Sequence, residues 1–219
     1  MVTLKVEIWS DFVCPFCYIG KRRFEAALDK FAGKDGVEVV YRSFELDPAA
    51  PHEVPYDVHE MLARKYGMSR EQAKMMNARV TEQAREVGLD YRMDEIKLTN
   101  TFDAHRLAHF AATRGRQREM TERLMKAYFT ESKHIGDKET LAQLAEEVGL
   151  DRNEAKRLLE SGAYSADVRA DQREGAALGI RGVPFYVIDR KYGVSGAQPE
   201  EVFLRALEKA WSEKDAPVS

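Results

Sequence analysis

The sequence predicts an α/β fold built as βαβ, then a long run of helices, then ββα. Two observations carry that prediction. The apolar alternation typical of strands occurs only near the two ends of the chain, and from about residue 57 to 178 the apolar spacing is almost wholly helical. One sheet must therefore be assembled from both ends, with the helices inserted between its halves. This gives one unit from residues 1–46 and 165–219, and an inserted helical unit from 47–164.

The elements follow in order. Val2-Thr-Leu-Lys-Val-Glu-Ile-Trp9 alternates and predicts a strand over residues 3–9. A helix over 15–32 places Phe24, Leu28 and Phe31 on one face, away from Lys21, Arg22 and Glu25, and stops near Gly33. Val37-Glu-Val-Val-Tyr-Arg-Ser-Phe44 is a second strand, parallel to the first through a right-handed crossover. A proline-rich loop from Asp47 to Pro55 then leads to helices near 57–66, 70–87, 101–114, 116–133, 138–148, 152–160 and 165–178. Gly67, Gly88, Gly149 and Gly179 each end a helical run and precede an apolar residue, the pattern of left-handed caps. Ser69 with Gln72, and Asp151 with Glu154, have capping-box spacing. The strand pattern returns at 183–189, turns at Arg190-Lys191, and continues at 192–195 before a last helix over 199–213.

The formal net charge is −3, and no long basic run is present, which argues against a nucleic-acid partner. No apolar segment is long enough to cross a bilayer. Lys5 and Glu7 interrupt the first apolar stretch, so it does not read as a secretory signal, and the expected compartment is the cytosol. In that compartment a chain with two cysteines at C-x-x-C spacing is expected to use them as a reactive pair.

Cys14 and Cys17 fall where the first strand hands over to the first helix, with Pro15 at a first-turn position. Unpaired N–H groups and the macrodipole favour negative charge there, so a thiolate at Cys14 is favoured. Cys17, one turn inward, can close a small disulfide or resolve a mixed disulfide between Cys14 and a client. Zinc would need two further ligands; His105 and His109 have metal-pair spacing but lie far from the cysteines in sequence, so no metal is expected. Asp11 is either a proton acceptor coupled to the thiols or an acid capping the local turn. Asn100-Thr-Phe-Asp-Ala-His105 opens a helix, with His105 expected half-buried on its face. Met61, Met68, Met75, Met76, Met93, Met120 and Met125 are expected to fill the core of the helical unit. Phe12, Phe16 and Tyr18 are expected to form an exposed apolar rim for substrates.

With these residues in place, the chain resembles a known family. The strand–Cys-Pro-x-Cys–helix start, the helical insertion and the late Gly182-Val-Pro-Phe resemble the DsbA-type branch of the thioredoxin fold. More narrowly, Ser10-Asp-Phe-Val-Cys-Pro-Phe-Cys-Tyr-Ile-Gly-Lys21 with Ser195-Gly-Ala-Gln198 is similar to the cytoplasmic FrnE-like oxidoreductases, which often carry Trp where this chain has Phe16. The resemblance implies a thiol–disulfide oxidoreductase whose Val183–Pro184 bond is cis and faces Cys14, with Pro15, Phe16, Val183 and Pro184 meeting the substrate. It implies clients that are protein or small thiols and disulfides, and no cofactor beyond the Cys14–Cys17 dithiol. Glutathione is a candidate co-substrate. Related kappa-class glutathione transferases and 2-hydroxychromene-2-carboxylate isomerases supply the alternative, a glutathione-dependent isomerase or transferase. They typically carry Ser at the position of Cys14, whereas Ser195, Gly196, Ala197 and Gln198 would be the matching anion site at a helix start. A client-holding module without redox turnover is the third reading. The oligomeric state stays open, a homodimer being one option.

Overall fold

The computed structural model describes residues 3–215, so residues 1–2 and 216–219 of the unit expected from both chain ends lie outside the described residues. Four strands and nine helices are present among the described residues. They are β1 (Leu4–Ser10), α1 (Pro15–Lys30), β2 (Val37–Ser43), α2 (Val58–Tyr66), α3 (Arg70–Glu86), α4 (Phe102–Ala112) and α5 (Gln117–Phe129). Then come α6 (Lys138–Glu147), α7 (Arg152–Glu160), α8 (Ser165–Ala177), β3 (Phe185–Ile188), β4 (Tyr192–Ser195) and α9 (Glu200–Asp215). The sheet order is β2-β1-β3-β4; β1 runs parallel to β2 and antiparallel to β3, and β4 is antiparallel to β3. The fold is mixed α/β, with the sheet drawn from both ends of the chain.

β1 is central because nearly every residue on both of its faces is apolar or paired. Leu4, Val6 and Ile8 are buried with Phe24, Leu28, Tyr186 and Phe203, under α1 and α9. On the other face Trp9 is wholly buried with Ile180 and Val187. Its indole Nε1 donates to the Asp171 carbonyl of α8 at 2.9 Å. That close approach is permitted by Gly175, where an added Cβ would lie 2.8 Å from Trp9 Nε1. Glu7 is the one charged side chain on β1 turned inward, and Arg42 and Arg190 neutralise it.

The helix ends follow the sequence chemistry. Gly67, Gly88, Gly149 and Gly179 all have positive φ, and the N–H of the apolar residue after each reaches back to the carbonyl five residues earlier, as in Leu89 to Ala84. Ser69 and Gln72 form a full capping box, and Asp151 accepts from the Glu154 N–H. The turn between β3 and β4 is centred one residue earlier than expected, on Asp189 and Arg190, both at positive φ. Aspartate tolerates that region better than a second basic residue would. β3 also begins later than expected, at Phe185, because Pro184 has no N–H for a ladder bond.

Two large apolar clusters result, beside the small one around Trp9. One lies between the sheet, α1 and α9; the other fills the helical lobe with Leu107, Met120, Leu124, Leu141 and Leu144. Cys14, Cys17, Tyr18 and Ile19 belong to the second cluster. Met93, Met120 and Met125 are buried there, but Met75 is exposed and is no part of the core.

Candidate active site

Cys14 is the N-cap of α1, in extended conformation, with Pro15 as the first helical residue and no side-chain cap. Its N–H donates to the Asp11 carbonyl at 3.2 Å, and the Cys17 N–H donates to the Cys14 carbonyl at 3.1 Å. The turn after β1 therefore sets the first sulfur at the helix entrance and the second one turn deeper. Both are reduced thiols in this structure.

The other half of the site comes from the far end of the chain. The Val183–Pro184 peptide is cis. The Cys14 thiol donates to the Val183 carbonyl with Sγ 3.6 Å from the oxygen. The Gly196 N–H donates to the Pro184 carbonyl at 2.8 Å, so Ser195–Gln198 is tied to the same loop. Gly20 makes the approach possible: an added Cβ would meet Tyr186 Oη at 2.8 Å and Pro184 Cγ at 3.1 Å. The structure thus brings Cys14, Cys17, Val183, Pro184 and the 195–198 segment together. In that segment the Gly196 and Gln198 N–H groups are already bonded internally, Arg23 donates to the Ala197 carbonyl, and Glu200 and Glu201 open α9. These features do not favour an anion at that helix start.

Cys14 is 4 % exposed, whereas Phe16 beside it is 40 % exposed. The site is thus exposed at Phe16 rather than at the Cys14 sulfur itself. Cys17 is buried beneath it. Burial pushes the Cys17 thiol well above its ordinary value, and hydrogen bonding and charge from Cys14 push the same way; the Ser10 hydroxyl and the Asp11 backbone oppose them.

Two residues expected on an exposed rim are instead buried. Phe12 packs its ring 4.6 Å from the His105 ring, and Tyr18 lies against Tyr91 and Phe129. The Tyr18 hydroxyl donates to Glu122 Oε1 at 2.6 Å, and Lys21 Nζ donates to Glu122 Oε2 at 2.6 Å. Burial alone would raise the Glu122 carboxyl, but Arg22 and Lys21 bring it down to about 2. This cluster ties α1 to α5. Only Phe16 of the three keeps the expected exposure.

Asp11 does not cap its own turn through its side chain. Its Oδ2 accepts from the Leu46 N–H at 2.8 Å, and its Oδ1 lies 3.2 Å from His105 Nε2. His105, expected to be half-buried, is 2 % exposed. His109 pairs with a different carboxylate, Asp171, although both histidines line the same small cavity behind β1 and β2. Asn100 Oδ1 accepts from the Phe102 N–H and opens α4, while its Nδ2 donates to the Ala50 carbonyl of the proline-rich loop. Sequence reasoning missed Tyr91, whose hydroxyl donates to the Pro15 carbonyl at 2.7 Å, and Glu122. Neither has a local signal, because each partner lies far away in the chain.

With this geometry in place, comparison with known proteins identifies the class. Residues 5–208 match the DSBA-like thioredoxin domain, and the chain belongs to that family. It is 32 % identical to the uncharacterized protein YwbO of Bacillus subtilis (strain 168), over 94 % of this chain and 96 % of that one. The structure of a probable DsbA oxidoreductase from Streptomyces coelicolor is similar at 48 % identity and TM-score 0.93, over 99 % of this chain and 93 % of that chain. The cytosolic disulfide reductase DsbM of Pseudomonas aeruginosa shares the fold at 18 % identity and TM-score 0.65, over 95 % of this chain and 99 % of that one, and has also been solved with GSH.

Proposed function

We propose that this chain is a cytosolic thiol–disulfide oxidoreductase of the FrnE-like branch, acting on protein or small-thiol disulfides through Cys14-Pro-Phe-Cys17. The observation that carries the reading is the placement of the Cys14 sulfur at the entrance of α1, 3.6 Å from the carbonyl that precedes Pro184. In the reducing direction the Cys14 sulfur attacks a client disulfide, forming a mixed disulfide and releasing one client thiolate. Cys17 then attacks Cys14 Sγ, the second client thiolate leaves, and the Cys14–Cys17 disulfide remains. No bound cofactor takes part; a small thiol returns the pair to the dithiol. Glutathione suits that role, and a fold relative solved with GSH supports it. Among the described residues no helix is long and apolar enough to cross a membrane, and no group of three or more metal-ligating side chains is present.

The test is a pair of variants assayed for reduction of a model protein disulfide, with mass spectrometry of trapped species. Cys14→Ser should lose exchange entirely, and Cys17→Ser should accumulate a mixed disulfide on Cys14. Full exchange by Cys14→Ser would overturn the proposal. Glutathione-dependent turnover of a non-disulfide substrate that survives Cys17→Ser would replace it with the isomerase reading.

A further inference from the structure

Resting on that exchange reading, we propose that Tyr91 is a positioning residue for the closing step, its hydroxyl holding the turn between the cysteines while a client occupies Cys14. Among the described residues, two hydrogen bonds tie the Cys14–Cys17 turn to distant parts of the chain. One runs from the Cys14 thiol to the Val183 carbonyl, with Sγ 3.6 Å from the oxygen. The other runs from the Tyr91 hydroxyl to the Pro15 carbonyl at 2.7 Å. The bonds made by the Cys14 and Cys17 N–H groups are local, to the Asp11 and Cys14 carbonyls. The reaction itself removes the first tie, because a sulfur joined to a client has no proton to donate. From that moment until Cys17 arrives, the Tyr91 bond is the tie that remains.

Tyr91 lies outside the regular helices, between α3 and α4, yet its ring is firmly seated. It is buried, and its ring is stacked on Phe129 with the centroids 4.4 Å apart. The chain on either side of it is stapled to the end of α5. The Arg92 N–H donates to the Phe129 carbonyl at 2.8 Å, and Thr130 Oγ1 donates to the Asp90 carbonyl at 2.8 Å. Burial pushes the Tyr91 hydroxyl well above its ordinary value, and charge on Cys14 pushes the same way, so it stays a donor while the site carries charge. A buried tyrosine hydroxyl ordinarily finds some partner. What sets this one apart is the partner, a carbonyl between the two sulfurs. The next residue, Phe16, is exposed and gives the turn no cover from the outside.

In the closing step Cys17 gives up its proton and attacks Cys14 Sγ. The Cys14–Cys17 bond forms, and the Cys14–client bond breaks with its electron pair on the client sulfur, so one thiol becomes one thiolate and one proton. The rate depends on how often the two sulfurs stand within reach. Cys17 is buried in the lobe cluster and does not move out to meet Cys14. Without the Tyr91 bond the turn opens more often, and the arrangement from which Cys17 attacks is less populated by the worth of that bond.

The experiment uses the reduced full chain and a nitrobenzoate disulfide, followed by stopped-flow absorbance. The first coloured thiolate reports attack by Cys14, and the second reports closure by Cys17. Tyr91→Phe keeps the stacked ring and removes only the hydroxyl. It should leave the first release unchanged and slow the second about fivefold, the loss of one neutral hydrogen bond. Mass spectrometry of acid-quenched samples should show the Cys14 mixed disulfide persisting in proportion. Phe129→Leu, which keeps the hydroxyl but loosens its seat, should slow the second release by a smaller factor. Tyr18→Phe removes a buried hydroxyl from the same aromatic group and leaves the Pro15 carbonyl bonded, so the ratio of the two rates should stay at the wild-type value. An unchanged second release in Tyr91→Phe, an equal fall in both releases, or the same selective slowing in Tyr18→Phe would overturn the role of Tyr91 alone. Absence of any first release in the wild type would remove the exchange reading itself.

Discussion

The sheet core and the helical-lobe core divide α1 between them. Phe24, Ala27 and Leu28 are buried with the sheet cluster, while Cys17, Tyr18 and Ile19 are buried with the lobe. The cysteines thus sit on an element whose position is fixed by the sheet but whose surroundings are supplied by the insertion. The sheet half determines where the sulfurs are, and the lobe determines how dry the second one is. Changes confined to the insertion would then alter the surroundings of Cys17 without moving Cys14.

Breaking the sheet side gives the largest effect. Phe24 is 1 % exposed and packs against Tyr186 and Phe203, so Phe24→Ala should cost about 3–5 kcal/mol in urea unfolding. Leu124→Ala, on the lobe side, should cost about 2–5 kcal/mol. The informative readout is the order of alkylation. Phe24→Ala should leave Cys14 reacting well before Cys17, whereas Leu124→Ala should narrow the gap by loosening the cluster that buries Cys17. Equal narrowing in both variants would erase the division of labour.

What could be read from the sequence follows the same line. Strands, helix caps and the C-x-x-C placement rest on neighbours within a few residues, and most lie within a residue or two of their expected place; α5 is the exception, ending at Phe129 rather than near residue 133. Phe12 and Tyr18 differ from expectation because their partners, His105 and Glu122, lie 93 and 104 residues away, in the inserted lobe. An aromatic beside a reactive cysteine looks exposed until the lobe that covers it is folded. Asp11 could be singled out by its position, but its carboxylate partners, the Leu46 N–H and His105, have no sequence pattern that announces them.

A smaller effect tests the packing of α8 on the opposite face of the sheet. Gly175→Ala would place a Cβ 2.8 Å from Trp9 Nε1, a contact neither backbone nor indole can absorb freely. It should cost about 1–3 kcal/mol, as overpacking does, and shift the Trp9 fluorescence by weakening its bond to the Asp171 carbonyl. Unchanged Trp9 emission would mean that α8 slides away from the indole at no cost.

The smallest effect concerns the tie between α1 and α5. Glu122 is lowered from 4.5 to about 2 despite its burial, because Arg22 and Lys21 bond its charged form. A depressed folded-state value stabilises the fold above the unfolded-state value and loses that contribution as pH falls through the folded one. The wild type should therefore weaken as pH drops from 4.5 toward 2, with a component that Glu122→Gln lacks. At neutral pH the variant should be less stable, since Lys21, 5 % exposed at its side chain, keeps only Glu25 as an anion. The two curves should converge near the bottom of the window, where the wild-type carboxyl is protonated too. Urea unfolding of both proteins at stepped pH reads this directly. Parallel curves through the acid range would show that α1 is held by its apolar face alone, and that the lobe reaches the cysteines without the Glu122 tie.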